Sequence, residues 1–293
     1  MPFTLSHAAA VLPGIRRTGE GRGRLVASAL VAGSFAPDLP YYADSVVPGG
    51  MAFGAVTHSL PGVLTVDVAL TAALVAGWLL VREPMVAMLP RAWQGRVYRF
   101  AHGRPWRGRG PRQLAAVAAW FVVSAVLGCA SHVVWDAFTH PGRWGTRLVP
   151  VLNTWAWGRP VAAYVQSATS ALALAAIGWF VWTALRGGRG EAPSAAVPAL
   201  TVRQRLLLAG PLALCVVAGA AGRTLRAYAV YGTRATWFDY LPSALFGAGA
   251  GLAAGLPVAA VAARLLHRRA RRRRGADGGP GSAGRAAGPA AGG

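Results

Sequence analysis

The chain has 293 residues, 54% of them hydrophobic and only 13% charged, with a mean hydropathy of +0.41. Soluble domains carry roughly 25% charged residues, and charge at a bilayer centre is costly, so the deficit excludes an ordinary soluble globule. The net charge is +21 and every basic residue is arginine, with no lysine. Those arginines sit in loops and a tail between apolar runs, as positive-inside topology predicts, and a nucleic-acid partner is not expected.

Residues 1–12 lack the basic n-region of a signal peptide, because Arg16 and Arg17 follow the first apolar residues. Residues 1–65 read as an N-terminal helical and loop region. Within it, the apolar segment 25–36 is short and ends in Pro37-Asp38-Leu39-Pro40, which fits a half-buried helix or a re-entrant segment better than a span. Five later runs are long and apolar enough to cross roughly 30 Å of hydrocarbon: residues 66–89, 114–138, 161–185, 205–221 and 240–266. Helix is the expected state, since lipid-facing backbone must satisfy its own hydrogen bonds. The expectation is an all-α, polytopic helical bundle of about five spans over residues 66–266, with the N-terminal region packed at its outer face. Residues 267–293 form a basic, then Gly/Ala-rich tail; from Gly275 onward it lacks the apolar bulk to fold and reads as disordered. Cys129 and Cys215 lie inside apolar runs without a CxxC partner, and neither a disulfide nor a thiolate metal site follows.

Arg91, Arg96, Arg99, Arg104, Arg107, Arg109 and Arg112 lie between the first two spans, and Arg186, Arg189, Arg203 and Arg205 between the third and fourth. With the tail cluster at Arg271–Arg274 they fall on one side if five spans alternate. That side is predicted to be the cytoplasm of a multi-pass cell-membrane protein, the C-terminal tail included, with the arginine clusters against anionic lipid headgroups. One conflict remains: five spans place Arg16, Arg17, Arg22 and Arg24 outside. A sixth span over 25–42 would remove the conflict but would separate His7 from the histidines discussed next. Trp135, Trp144, Trp155, Trp157 and Trp237 fall near predicted outer span ends, as an interfacial belt does. Gly247, Gly251 and Gly255, spaced by four, make a stripe for close helix packing within the molecule or between protomers; oligomeric state is not readable.

The informative polar residues are the six histidines and six aspartates. His132, Asp136 and His140 are spaced by four at the end of the second span, on one helical face, with Pro141 ending the helix near His140. Two histidines and a carboxylate suit Zn²⁺ or a similar divalent ion; the alternative is a set of polar groups bridging helices. His7, Asp38 and His58 join them if the N-terminal region lies at the outer face. Ser6 or Thr4 is expected to cap a helix starting near His7. Gln166 reads as an interhelical bond or a substrate contact, and Asp239 as a partner of Arg234. His102 and His267 read as solvated or at headgroups.

The opening MPFTLSHAAAVLP, the block GSFAPDLPYY, the element THSLPG and the block SHVVWDAFTHPGRWG resemble the 4184 family of domains of unknown function, over about residues 1–185. The same order of His, PD, THS and HxxxD is similar to inner-membrane-associated metal-dependent hydrolases. More distantly it resembles the zinc-dependent phospholipase C and P1 nuclease group, helical enzymes that hydrolyse phosphoesters with clustered zinc ions. The resemblance implies His7, Asp38, His58, His132, Asp136 and His140 as metal ligands. It departs from the soluble enzymes in lacking their later HxxxE pair, since only His267 follows His140, so one or two ions are expected rather than three. The functional expectation is a membrane-embedded metal-dependent hydrolase holding a divalent metal, best met by zinc, and acting on an amphiphilic phosphoester or lipid-linked substrate. Asp44 and Asp67 are candidate bases. The rivals are an ion or proton transporter using the same residues, and a scaffold whose polar cluster only locks helices.

Overall fold

The computed structural model describes residues 4–103, 110–187 and 194–277, the last five as backbone only. Its helices run in the order α1 (Ala8–Val11), α2 (Ala27–Gly33), α3 (Leu39–Ala43), α4 (Gly54–Thr57), α5 (Leu60–Leu64), α6 (Val66–Met88), α7 (Arg91–His102), α8 (Pro111–Thr139), α9 (Trp144–Leu148), α10 (Val161–Arg186), α11 (Val202–Tyr231) and α12 (Trp237–Asp277). A two-stranded ribbon, β1 (Trp155–Ala156) and β2 (Arg159–Pro160), precedes α10. The fold is an all-α membrane helical bundle.

Among the described residues four helices are long and apolar enough to cross a membrane: α8, α10, α11 and most of α12. The expected count of about five is corrected at α6, which is not among them. It carries Asp67 in its first turn and Arg82, Glu83 and Pro84 near its end, and those groups shorten its apolar stretch. The fourth span is longer than its apolar run implies. Thr201 and Gln204 form a reciprocal cap that starts α11, and the helix continues through Arg223 and Arg226, positions expected in a loop. The glycine stripe works within the molecule: a Cβ at Gly247 would overlap the Gly219 backbone, and one at Gly251 the Cys215 carbonyl, so α11 and α12 touch backbone to backbone. Helix α12 also continues past the expected span end, through the arginine cluster; residues 278–293 of the expected disordered tail lie outside the described set, as do Arg104, Arg107, Arg109 and Arg189.

The N-terminal region folds as a hairpin against α8 rather than as a span. From His7 the chain descends through α1, where Val11 and Ile15 pack with Leu30 and Phe180. At the bottom the Gly19 α-carbon abuts the Phe100 backbone of α7, and the Val26 amide donates to Ser124 Oγ at 2.9 Å. Helix α2 then climbs back, with Gly33 against Ala125 and Gly128 against Leu30 and Ser34. Residues 19–21 and 24–28 line a cavity with Trp78, Arg82, His102 and Val117. Val117 precedes His132 by fifteen residues, about 22 Å at 1.5 Å per residue of helix. The hairpin therefore keeps His7 at one end of the bundle and puts the 16–24 segment, with its four arginines, near the arginine-bearing α7 at the other. The conflict between positive-inside charge and the placement of His7 disappears without a sixth span.

Candidate metal centre

Helix α8 places His132 and Asp136 one turn apart, 0% and 1% exposed. Past Thr139 the chain becomes extended, with His140 at φ −121° and ψ 124°, as a residue before proline should be. The turn Ala36–Asp38 at the top of the hairpin carries Asp38, and His58 follows α4.

Each inward-facing group is held from behind. His132 Nδ1 lies 2.8 Å from the Ser34 carbonyl, and His58 Nδ1 lies 2.9 Å from that of Gly54. Both rings thus donate from Nδ1 and turn a bare Nε2 to the centre, the arrangement by which outer-shell acceptors orient ligating histidines. Thr4 Oγ1 donates to Asp38 Oδ2 at 2.6 Å, leaving Oδ1 inward. Thr4 or Ser6 is the expected cap of α1; neither caps it, since α1 has no side-chain cap, and the Thr4 hydroxyl goes to the carboxylate.

The inward atoms of Asp38, His58, His132 and Asp136 converge within 4.8 Å of one another. His132 Nε2 stands 3.3 Å from Asp38 Oδ1 and 3.5 Å from Asp136 Oδ2. His58 Nε2 stands 3.3 Å from Asp136 Oδ2 and 3.8 Å from Asp38 Oδ1. A tetrahedral ion bonded at about 2.0–2.1 Å keeps its ligand atoms about 3.3–3.4 Å apart, and three of these four separations lie within about 0.2 Å of that. None of the four atoms has a hydrogen-bond partner. Lone pairs facing lone pairs in a buried site are costly, and the residues present fit a divalent ion among them.

The other two predicted residues stand beside this set. His7 stacks on His132, ring centroids 3.8 Å apart, with Nε2 3.5 Å from Asp136 Oδ1. His140 Nδ1 is also 3.5 Å from Asp136 Oδ1, but it lies 3.1 Å from the Asp136 carbonyl as well. Burial, reinforced by His132, pushes His7 down to about 3. Burial likewise lowers His140, against the pull of Asp136. Both rings are therefore neutral near pH 7 and able to donate a lone pair. Gln166 Nε2 approaches His140 Nε2 at 2.9 Å, an interhelical contact from α10.

Of the candidate bases, Asp44 is committed to Arg223 and to the amides of Gly49 and Met51. Asp67 is fully buried at the start of α6, and neither of its oxygens is hydrogen-bonded. Asp239 pairs with Arg159 at 2.8 Å, not with Arg234; the ribbon before α10 brings Arg159 across to α12. His267 accepts from the Ala199 amide, and His102 borders the cavity beneath the hairpin.

Three residues that shape the site escaped the sequence reading. Arg223 of α11 donates to the Tyr41 carbonyl and to Ser45 Oγ, and pairs with Asp44 at 3.3 Å. Tyr41 packs its hydroxyl end against Gly54 and its ring 5.8 Å from that of His58. Burial pushes the Tyr41 hydroxyl above its ordinary pKa, and Arg143 acts against that rise. Tyr41 and Arg143 belong to the GSFAPDLPYY and SHVVWDAFTHPGRWG blocks, which was the available signal; nothing local marks Arg223.

The family model "Domain of unknown function (DUF4184)" matches residues 1–261, and the chain belongs to that family. No curated protein and no solved structure matches it.

Proposed function

We propose that this member of the DUF4184 family is a membrane-embedded metal-dependent hydrolase whose divalent ion is held by Asp38, His58, His132 and Asp136. His7 and His140 serve the remaining Asp136 oxygen. The observation that carries the reading is the convergence of four buried acceptor atoms without hydrogen-bond partners within 4.8 Å of one another. The mixed imidazole and carboxylate set suits zinc. A bound ion of this kind lowers the pKa of water to about 7 and supplies hydroxide at neutral pH. Asp67, the buried carboxylate without a partner, is the base of this scheme.

The substrate class follows from where the cluster sits. It lies at one end of the bundle, near the end that bears the exposed Trp144, Trp155, Trp157 and Trp237. Such tryptophans suit a membrane interface, and an amphiphilic phosphoester or lipid-linked phosphate would present its head there. The arginines of the opposite end support a cytoplasmic setting for that end and for the C-terminal tail. The closed four-ligand shell and near-complete burial also favour a second reading, a structural ion that staples the hairpin to α8.

The test is metal analysis and turnover on the same full-length preparation. The expected result is one or two ions per chain, hydrolysis of a phosphodiester panel that chelation abolishes, and loss of both in Asp136→Asn. Metal without hydrolysis of any panel member selects the staple. A chain that neither retains nor takes up zinc or manganese defeats both.

A further inference from the structure

The lower end of the hairpin borders a cavity that the metal reading leaves unused. Helix α2 packs against both α6 and α8, and those two helices touch near the metal end, where Thr71 Oγ1 lies 3.7 Å from Cys129 Sγ. The cavity lies farther down, between Trp78 and Leu79 of α6, the last residues of α7, Val117 of α8 and the turn of the hairpin. It measures about 680 Å³ with its open mouth, which is room for a lipid head and the start of its chains rather than for a few waters.

Its walls are fixed by bonds on two sides. Arg82 bridges α6 to the end of α7, with Nε 2.8 Å from Glu83 Oε1 and a terminal nitrogen 3.4 Å from the His102 carbonyl. On the hairpin side the loop is pinned by its own backbone. The Arg16 amide donates to the Glu20 carbonyl and the Arg22 amide to that of Gly14, both at 2.8 Å, and the Leu25 amide donates to the Arg22 carbonyl at 3.1 Å.

Two chemistries meet inside. Leu25, Trp78, Leu79 and Val117 form an apolar wall, and Leu79, 37% exposed beside Leu80 at 64%, carries that wall out to the surface of the bundle. Glu20 and Arg24 bring charge to the same lining. Arg82 is already neutralised by Glu83, whereas neither Glu20 nor Arg24 pairs with an opposite charge among the described residues. The uncommitted charge is thus one carboxylate and one guanidinium. A ligand matched to both carries an anion and a cation on one head above an apolar tail, which is the make-up of a zwitterionic lipid, and the arginines of this end suit headgroup depth. A purely anionic head would set its charge against Glu20. A primary ammonium can donate hydrogen bonds to that carboxylate, and a quaternary one cannot.

We propose that this cavity binds one aminophospholipid as a structural ligand. Arg24 takes the anionic oxygens of its head, Glu20 takes its ammonium, and the wall of Leu25, Trp78, Leu79 and Val117 takes the start of its chains. The lipid is no substrate: Val117 stands about 22 Å of helix from His132, and the inference holds whether or not the metal centre turns over. Its effect is to tie the turn of the hairpin to α6 and α8.

The experiment is native mass spectrometry of the full-length chain, treated with chelator and released from neutral detergent. The protein is first incubated with equal amounts of phosphatidylethanolamine, phosphatidylglycerol and phosphatidylcholine bearing the same acyl chains. Wild type is expected to keep one phosphatidylethanolamine per chain at a detergent concentration that strips the other two. Arg24→Gln should lower that retention at least tenfold, Glu20→Gln should erase the preference over phosphatidylglycerol, and Val117→Trp should exclude the lipid by filling its place. Unchanged melting temperatures of the lipid-stripped variants show that all three are folded. Retention of phosphatidylglycerol or phosphatidylcholine at or above that of phosphatidylethanolamine overturns the proposal, as does a wild type that keeps no lipid. A phosphatidylethanolamine adduct indifferent to Arg24→Gln or to Val117→Trp, or a preference that survives Glu20→Gln, overturns it as well.

Discussion

Replacing His132 by alanine removes one of four converging ligands while leaving the helix that carries it intact. The consequence is readable as a thermal shift. An ion that binds only the folded chain stabilises it by RT ln(1 + [L]/Kd), about 4 kcal/mol when free metal stands a thousandfold above Kd. At about 2–4 °C per kcal/mol for a chain of this class, that is on the order of 10 °C. The ion-free site starts from a handicap, because His58 Nε2, His132 Nε2, Asp38 Oδ1 and Asp136 Oδ2 are all buried without partners. Each such atom costs about 1–3 kcal/mol. Wild type should therefore melt roughly 10 °C higher with zinc than with chelator, and His132→Ala should show almost none of that gap. The chelated variant should melt close to chelated wild type, because it loses one unsatisfied nitrogen together with the packing of its ring. Melting curves of purified protein in detergent, with metal content measured on the same samples, give the answer. An equal zinc shift in His132→Ala, or none in wild type, would refute the assignment of the four atoms as ligands.

Three further outcomes follow from other parts of the molecule. A leucine at Gly251 would drive its side chain into the Cys215 carbonyl, so Gly251→Leu should separate α11 from α12 and lower the melting temperature by more than 10 °C, whereas a leucine at Gly222, whose surroundings are open, should cost little. Cysteines placed at Trp157, 93% exposed in the ribbon, and at Arg203, exposed at the start of α11, should react with an impermeant reagent from opposite faces of the membrane, position 157 from outside; labelling of both from one side contradicts the orientation. In chelated protein His7 titrates near 3 when folded and 6.5 when unfolded, so below about pH 6.5 the unfolded chain takes up a proton that the folded one refuses, and stability falls as pH drops from about 7 to about 4; His7→Gln should flatten that slope, and an unchanged slope would remove His7 as its source.

The spans were legible because lipid leaves few ways to satisfy a backbone, and apolar run length is then nearly a structural statement. The same reading failed where length was not the only criterion. Residues 66–89 looked like a span by hydropathy, yet Asp67, Arg82 and Glu83 interrupt it. Helix α11 outran its apolar stretch because a buried Arg223 finds three partners in the N-terminal region, and such pairings are long-range and invisible locally. The six candidate ligands were legible as types and spacings, and the structure brings them around Asp136. Their division into four converging atoms and two flanking rings was not, because it depends on which ring nitrogen each carbonyl engages. Thr4 shows the limit most plainly: local pattern made it a cap, and a carboxylate 34 residues away took its hydroxyl.

The hairpin brings residues from outside the spans to the proposed metal site. Asp38 comes from the hairpin, His58 from the segment after α4, and His132 and Asp136 from α8. Between hairpin and α8 the contact is made by small residues, Gly33 on Ala125 and Gly128 on Leu30 and Ser34, which lets backbones approach closely but buries little side-chain surface. Ser34 serves both sides of that contact, since its carbonyl is the acceptor that turns the His132 ring. A shift of the hairpin along α8 would thus change two ligands at once, displacing Asp38 and releasing His132 from its orienting bond. Conversely, an ion bonded to Asp38 and His132 fixes the register of the hairpin. Because binding and docking are linked in this way, a Gly128→Val substitution, one helical turn before His132 and against the Leu30 and Ser34 backbone, should weaken metal binding as well as packing. Metal affinity that is unchanged while the hairpin loosens would break the link and leave the two as separate features of the fold.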